Sequence, residues 1–514
     1  MKKHIKRGLV AFAAASALAL TGCTAPAPDG PDDTLTTDDT LTTLTMGISI
    51  YSPDSVNYST VGAAALLPQK QAVFDFPMLI NAETSELEPS IATEWEYSEG
   101  NTVLSLTIRD DVFFTDGTPL NAEAFVASIQ HRIDLKDASF NFSNIAGVEA
   151  TGDYTVQVRL SKPDYMHLIS LAQTPIAALA SYADLEKMAT APITSGPYLI
   201  DEANTITDIQ WTYVRNPDYW NPEAFPFDTV IVKYYADVTA RANALLSGQV
   251  DYAPIDAASL PRIVDEGFET LIGGSSSAVL MVADRAGAIV PALADTRVRQ
   301  ALALALDRDA IDRNVTFGLG DPSDQYFLEG NPYFVPNAGV YDYNPEKARE
   351  LLADAGYSDG LDVGVVTGRA SDTQFAPALI QYLSDIGVTA RYEELPSADY
   401  AAKLSGGLLA LPIRGDLYIN SVPNMVRPSG IWNGTRYTTP ELETLLDVID
   451  GGTPAEQATA QADLGKYIYD EAWFPQIAHP SVFFALSEKL TATLPTDFAR
   501  FGPWLWDFGI ASTE

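Results

Sequence analysis

The stretch L-L-A-L-P-I-R-G-D-L-Y-I-N (408–420) sets Arg414 and Asp416 one glycine, Gly415, apart at the end of an apolar run. Such a run packs as a strand, and a charge at its tip is presented to whatever the strand ends against. A carboxylate such as Asp416 holds a cation strongly wherever few waters compete for it. The plainer alternative is a turn with a solvated ion pair, since charges near turns are normally hydrated. The same tripeptide occurs in adhesion loops, but strand-like flanks argue against one here.

Other chemistry is poorly supplied. There is no Gly-x-Ser-x-Gly elbow and no phosphate-cradling glycine loop with lysine, so no enzyme class is supported. His4, His131, His167 and His479 are dispersed, with no pair at ligand spacing, so neither a metal site nor a cofactor is expected. Cys23 is the only cysteine, which excludes an internal disulfide.

The position of Cys23 is informative. A basic start, M-K-K-H-I-K-R-G, leads into L-V-A-F-A-A-A-S-A-L-A-L and then L-T-G-C. The apolar part is too short for a comfortable span. The arrangement resembles the bacterial lipoprotein signal, which implies cleavage after residue 22 and acylation of Cys23. The next segment, T-A-P-A-P-D-G-P-D-D-T-L-T-T-D-D-T-L-T-T, has three prolines, five aspartates and no aromatic residue. It reads as a disordered acidic linker over 23–43 that can reach roughly 70 Å when extended. The body is expected to be soluble and tethered to the extracytoplasmic face of the cell membrane.

The formal net charge is −37, and loss of Lys2, Lys3, Lys6 and Arg7 with the signal makes it four units more negative. Neutralising phosphates needs the opposite sign, so nucleic acid is excluded as a partner, as is charge-driven docking on anionic lipid. Colloidal solubility is the simplest role for the acidity.

Strand-like and helix-like pieces alternate along the body, which reads as an α/β architecture. T-L-T-M-G-I-S-I-Y-S (43–52), V-L-S-L-T-I-R (103–109) and Y-T-V-Q-V-R-L (154–160) alternate with period two. In Y-N-P-E-K-A-R-E-L-L-A-D-A-G-Y (343–357), Asn344 can cap, Pro345 suits the first helical position, and Gly356 stops the helix. In D-T-R-V-R-Q-A-L-A-L-A-L-D-R-D-A-I (295–311), Asp295 and Asp307 can cap two successive helices.

Six segments in order resemble one family, the extracellular solute-binding proteins of the peptide/nickel type (family 5), the ligand-capturing subunits of ABC importers. They are the block 87–129 around F-F-T-D-G-T-P-L-N-A-E, then T-S-G-P-Y (194–198), V-R-N-P-D-Y-W (214–220), L-L-S-G-Q-V-D (245–251), V-R-Q-A-L-A-L-A-L-D-R-D-A-I (298–311) and the 343–357 helix. All six read as scaffold: turns, helix starts and aromatic anchors.

The resemblance implies a two-lobed, type II periplasmic-binding-protein-like fold with the ligand cleft between the lobes. Lobe I is expected over 44–280 with the tail 489–514, including an extra subdomain at about 57–190, and lobe II over 281–488. It implies an anchored, monomeric binder of a short peptide or peptide-like zwitterion, delivered to permease and ATPase subunits. A binder of a nickel-type chelate is the alternative. In the family's dipeptide binders, an aspartate in a Gly-Trp-x-Gly-Asp context receives the ligand's amino group; Gly415 and Asp416 match it, while Pro412 and Ile413 replace the glycine and tryptophan. Arg369, across a shorter loop, is the expected carboxylate partner, with Arg414 as a second candidate. Tyr51 and Ser55, after the first strand, are expected to face the cleft, and Trp432 to wall the pocket or join the core.

Overall fold

The computed structural model describes residues 42–48, 68–84, 86–135, 142, 144–163, 166–188, 191–275, 277–414, 422–430, 432–494 and 502–512. Cys23, the linker, Tyr51, Ser55, Gly415 and Asp416 lie outside these residues, as does the side chain of Arg414.

Strand β1 (Thr43–Ile48) starts one residue inside the expected linker. The reason is local: the Thr42 carbonyl already accepts the amides of Asp228 and Thr229, which locks the β-branched residues that follow into the sheet. A small antiparallel sheet follows, in the order β2 (Ala92–Ser98), β3 (Val103–Ile108), β5 (Thr155–Leu160), β4 (Ile145–Gly152). Its apolar face buries Leu104, Leu106, Val156 and Val158 against the helix Ala122–Leu135, whose first turn is capped by Asn121 Oδ1 on the Ala124 amide at 3.1 Å.

Among the described residues one large sheet runs through the molecule. Its first half orders β6 (Tyr198–Ile200), β7 (Gln210–Arg215), β8 (Thr229–Tyr234), β1 and β9 (Tyr252–Ile255). Its second half orders β11 (Ala278–Leu280), β14 (Leu411–Arg414), β12 (Leu361–Gly368) and β13 (Val388–Glu394). The 11-residue strand β15 (Gln476–Leu486) belongs to both: its start pairs with β11, its end with β9 and with β10 (Glu269–Ser275).

The buried cores obey the same division. Two of them, around Leu302 and Leu379 and around Met281 and Trp473, take their buried residues only from 278–478. The others, around Phe125, Tyr198 and Leu245, take theirs from 44–263 and 483–508. The buried residues of the two groups come from separate stretches of chain, as two lobes require, and β10–β11 and β15 carry the chain between them.

The expected helix signals are realised. Asn344 Oδ1 accepts the Lys347 amide at 3.0 Å, Pro345 opens the helix Pro345–Asp354, and Ala348 and Leu352 are buried. Gly356 follows with φ +95°, a left-handed conformation costly for any side chain. Asp295 and Asp307 cap the helices Thr296–Leu304 and Arg308–Val315 through the amides of Arg297 and Ala310.

The aromatic block 214–220 anchors a loop on the core. Tyr219 Oη and Trp220 Nε1 donate to Asp75 Oδ1 at 3.1 and 3.2 Å, and Arg109 lies over the Trp220 ring at 3.9 Å. Gly196 of T-S-G-P-Y sits so close to the chain that an added Cβ would lie 2.3 Å from the Val73 carbonyl carbon. Segments far apart in sequence thus converge on one buried carboxylate.

Candidate ligand cleft

Strand directions fix where a ligand can be met. β1 runs parallel to β8 and β9, and β12 runs parallel to β13 and β14. β9 is antiparallel to β15, β15 to β11, and β11 to β14. The two parallel sets therefore run in opposite directions. In β9 it is the last residue, Ile255, that pairs nearest the middle of β15, with Phe483; in β14 the last residue, Arg414, pairs with Val279, itself opposite Gln476, so β14 also runs toward the middle of β15. Both sets end at the crossover with their carboxyl ends turned toward each other. Ligands of open α/β sheets bind at such ends, where the loops leave the sheet.

On the second lobe these ends carry a connected polar group. Asp372 Oδ2 accepts from Arg369 Nε at 3.0 Å, Oδ1 accepts from Nη2 at 3.1 Å, and Oδ2 also takes the Arg369 backbone amide at 2.9 Å. The Asp372 side chain is 3 % exposed and that of Arg369 20 %, so a buried carboxylate orients a half-buried cation. The Tyr400 ring lies beneath the guanidinium at 5.7 Å, and its hydroxyl donates to the Ile413 carbonyl of β14 at 2.8 Å. Tyr392 Oη donates to the Arg369 carbonyl at 3.3 Å and meets Thr373 Oγ1 at 3.0 Å; Thr373 in turn donates to Glu394 at 2.7 Å. Burial raises the Tyr392 phenol above its ordinary pKa, so it stays a neutral donor at physiological pH. Gly368 admits this packing, since a Cβ there would lie 2.5 Å from Tyr392 Oη.

Of the sequence candidates, Arg369 is thus held at the carboxyl end of β12, engaged by Asp372, and Arg414 ends β14 beside it. Trp432 is half-buried and packs on the core that contains Tyr400 and Trp473. Tyr51, Ser55, Gly415 and Asp416 belong to the segments that leave β1 and β14 and lie outside the described residues.

Sequence reasoning missed Arg285. Fully buried, it donates to the Met425 carbonyl from Nη1 and Nη2 at 3.2 and 3.3 Å and lies 4.3 Å over the Trp473 ring. Burial pushes its pKa down to about 9, so it remains a cation at neutral pH. Met425 is in the helix Val422–Val426, directly after the segment that carries Asp416. A cation on a carbonyl near the C-terminal end of that helix is favourably placed for the helix dipole. Nothing in A-D-R-A-G marks this arginine as buried.

The three described histidines each have a neighbour: His131 beside Tyr182, His167 Nε2 at 3.3 Å from Tyr97 Oη, and His479 Nε2 at 2.8 Å from the Gln325 carbonyl. Among the described residues no group of three or more His, Cys, Asp or Glu is placed to hold a metal ion, and no helix is long and apolar enough to cross a membrane.

Comparison with known proteins agrees with this architecture. Heme-binding protein A of Haemophilus influenzae is 25% identical over 480 residues, covering 83% of this chain and 85% of that protein. Glutathione-binding protein GsiB of Shigella dysenteriae is 25% identical over 437 residues, 79% of this chain and 83% of that one. Among solved structures, AgaA of A. tumefaciens R10 in complex with agropinic acid superposes with a TM-score of 0.79 at 22% identity, over 92% of this chain and 99% of that chain. DppA of Helicobacter pylori in complex with peptide STSA gives 0.77 at 18% identity, over 91% and 98%. The family model for the middle region of the bacterial extracellular solute-binding proteins, family 5, matches residues 86–421. The chain belongs to that family, the solute-binding proteins of ABC transporters.

Proposed function

We propose that this protein captures a short peptide or peptide-like zwitterion between its lobes and hands it to the permease and ATPase of an ABC importer. The observation that carries the reading is the pair Arg369–Asp372 at the carboxyl ends of the second lobe's parallel strands. It offers an oriented cation for a ligand carboxylate, one strand away from the segment with Asp416, the proposed acceptor of the ammonium. Gly415, Arg414, Tyr51, Ser55 and Trp432 complete the proposed wall. Lobe I is proposed as 44–280 with 489–514, including the subdomain at about 57–190, and lobe II as 281–488. Ligand shifts an open ensemble to the closed one. The protein acts as a monomer, tethered through acylated Cys23.

The names of the relatives span several solutes. A glutathione-binding protein and a DppA with bound peptide support the peptide-like reading, whereas a heme-binding protein and NikZ of Campylobacter jejuni with Ni(L-His) point to chelates. The test is mass spectrometry of what the purified mature protein releases on denaturation. Short peptides in near-stoichiometric amount are expected. A metal chelate or a solute without an amino group in their place overturns the reading.

A further inference from the structure

Lys162 follows β5, in the small sheet of the first lobe, and its Nζ lies 2.8 Å from Asp450 Oδ2, 288 residues away. Asp450 is on the helix Pro440–Gly451, whose Leu442, Leu446 and Ile449 are in the second lobe's core. The same carboxylate receives Arg427 Nη1 at 2.9 Å and Nη2 at 2.5 Å. Asp450 is 5 % exposed at its side chain, Arg427 15 % and Lys162 43 %. One buried acid thus has two partners, one from its own lobe and one from the other.

The two partnerships differ in kind. Arg427 and Asp450 are bound bidentately within one lobe, and that pair persists whatever the lobes do. Lys162 reaches it from a sheet whose buried core shares no residue with the second lobe. The lysine contact therefore exists only when the subdomain lies against the helix Pro440–Gly451. The Arg427–Asp450 pair is neutral as a unit, so an approaching ammonium completes a charge-assisted bond without stripping a bare carboxylate of water.

We propose that Lys162 and the Arg427–Asp450 pair form a clasp between the lobes that favours the closed state and slows ligand release. This rests on the lobe-closure reading above. A cationic partner at this point also makes closure salt-sensitive, because Lys162 is partly open to solvent. A change at Lys162 leaves both cores and the Arg427–Asp450 pair intact, so its effect is read on the closing equilibrium and not on folding.

The test uses the mature body with Cys23→Ser and spin labels at Glu96→Cys and Asp447→Cys, both exposed and one in each lobe. Inter-label distances are measured while a tryptic digest of casein, reduced to its di- and tripeptide fraction, is titrated in. Lys162→Met is expected to need about two- to tenfold more of this fraction for half-closure, with Lys162→Arg near wild type. In 1 M NaCl the wild type is expected to shift toward the Lys162→Met curve. If Lys162→Met and wild type close over the same concentrations, the clasp is wrong and lobe closure stands. If the digest shortens the distance in neither, lobe closure itself fails, and the clasp with it.

Discussion

Asp372 grips Arg369 three times: through Nε, through Nη2 and through the backbone amide of the same residue. The guanidinium is therefore oriented before any ligand arrives, which spares side-chain entropy on binding. Asp372→Asn keeps one acceptor but removes the charge and one of the guanidinium contacts. Peptide affinity is expected to fall about three- to tenfold and unfolding stability by about 1–2 kcal/mol. Calorimetry and urea titration read the two separately. Unchanged affinity with the stability loss present would make the pair purely architectural.

Asp75 gives a pH dependence with a definite sign. Burial raises its carboxyl from 3.8 to about 6, outweighing the hydrogen bonds from Trp220 and Tyr219 and the charge of Arg109, which lower it. The folded state therefore holds the proton more tightly than the unfolded chain. The stability this contributes is full below 3.8, declines as pH rises toward 6 and is absent above it. The swing attributable to Asp75 is on the order of 3 kcal/mol. Asp75→Asn keeps an acceptor for Tyr219 and Trp220 and is expected to flatten the profile between pH 4 and 6. The check is urea unfolding of both proteins across that range; parallel profiles contradict the assignment.

Much of the scaffold was legible because its signals are local. Asn344, Asp295 and Asp307 cap helices within three residues, and the N-P-D-Y-W aromatics anchor as proline-turn aromatics commonly do. Buried arginines were not legible. Arg299 gives Nε to the Glu471 carbonyl and Arg308 gives Nε to the Gln476 carbonyl, 172 and 168 residues away. In a single sequence each reads as a solvated helix charge. Arg369 is legible as a candidate, and the signal for its partner is Asp372, three residues on. That spacing on a helical turn places both on one face. The opposition of the two strand sets, and the Lys162–Asp450 contact, depend on pairings that no local pattern encodes.

Anchoring at Cys23 is tested by Cys23→Ser and cell fractionation. The wild type is expected in the detergent phase with membranes, and the variant in the aqueous phase or unprocessed. Equal partition of the two into membranes contradicts acylation at this position.

The central claim is recognition of a zwitterion with its ammonium on Asp416, and a calorimetric cycle tests it most directly. Wild type and Asp416→Asn are titrated with the same peptide, free and N-acetylated. A charge-assisted bond in a closed cleft is worth roughly 1.5–3 kcal/mol, so the variant is expected to bind free peptide about ten- to a hundredfold more weakly. Acetylated peptide should bind wild type poorly and lose little more in the variant, because the shared interaction is already gone. Equal affinity of wild type and Asp416→Asn for the free peptide would contradict the account, leaving Asp416 a solvated turn residue and the zwitterion reading without its ammonium site.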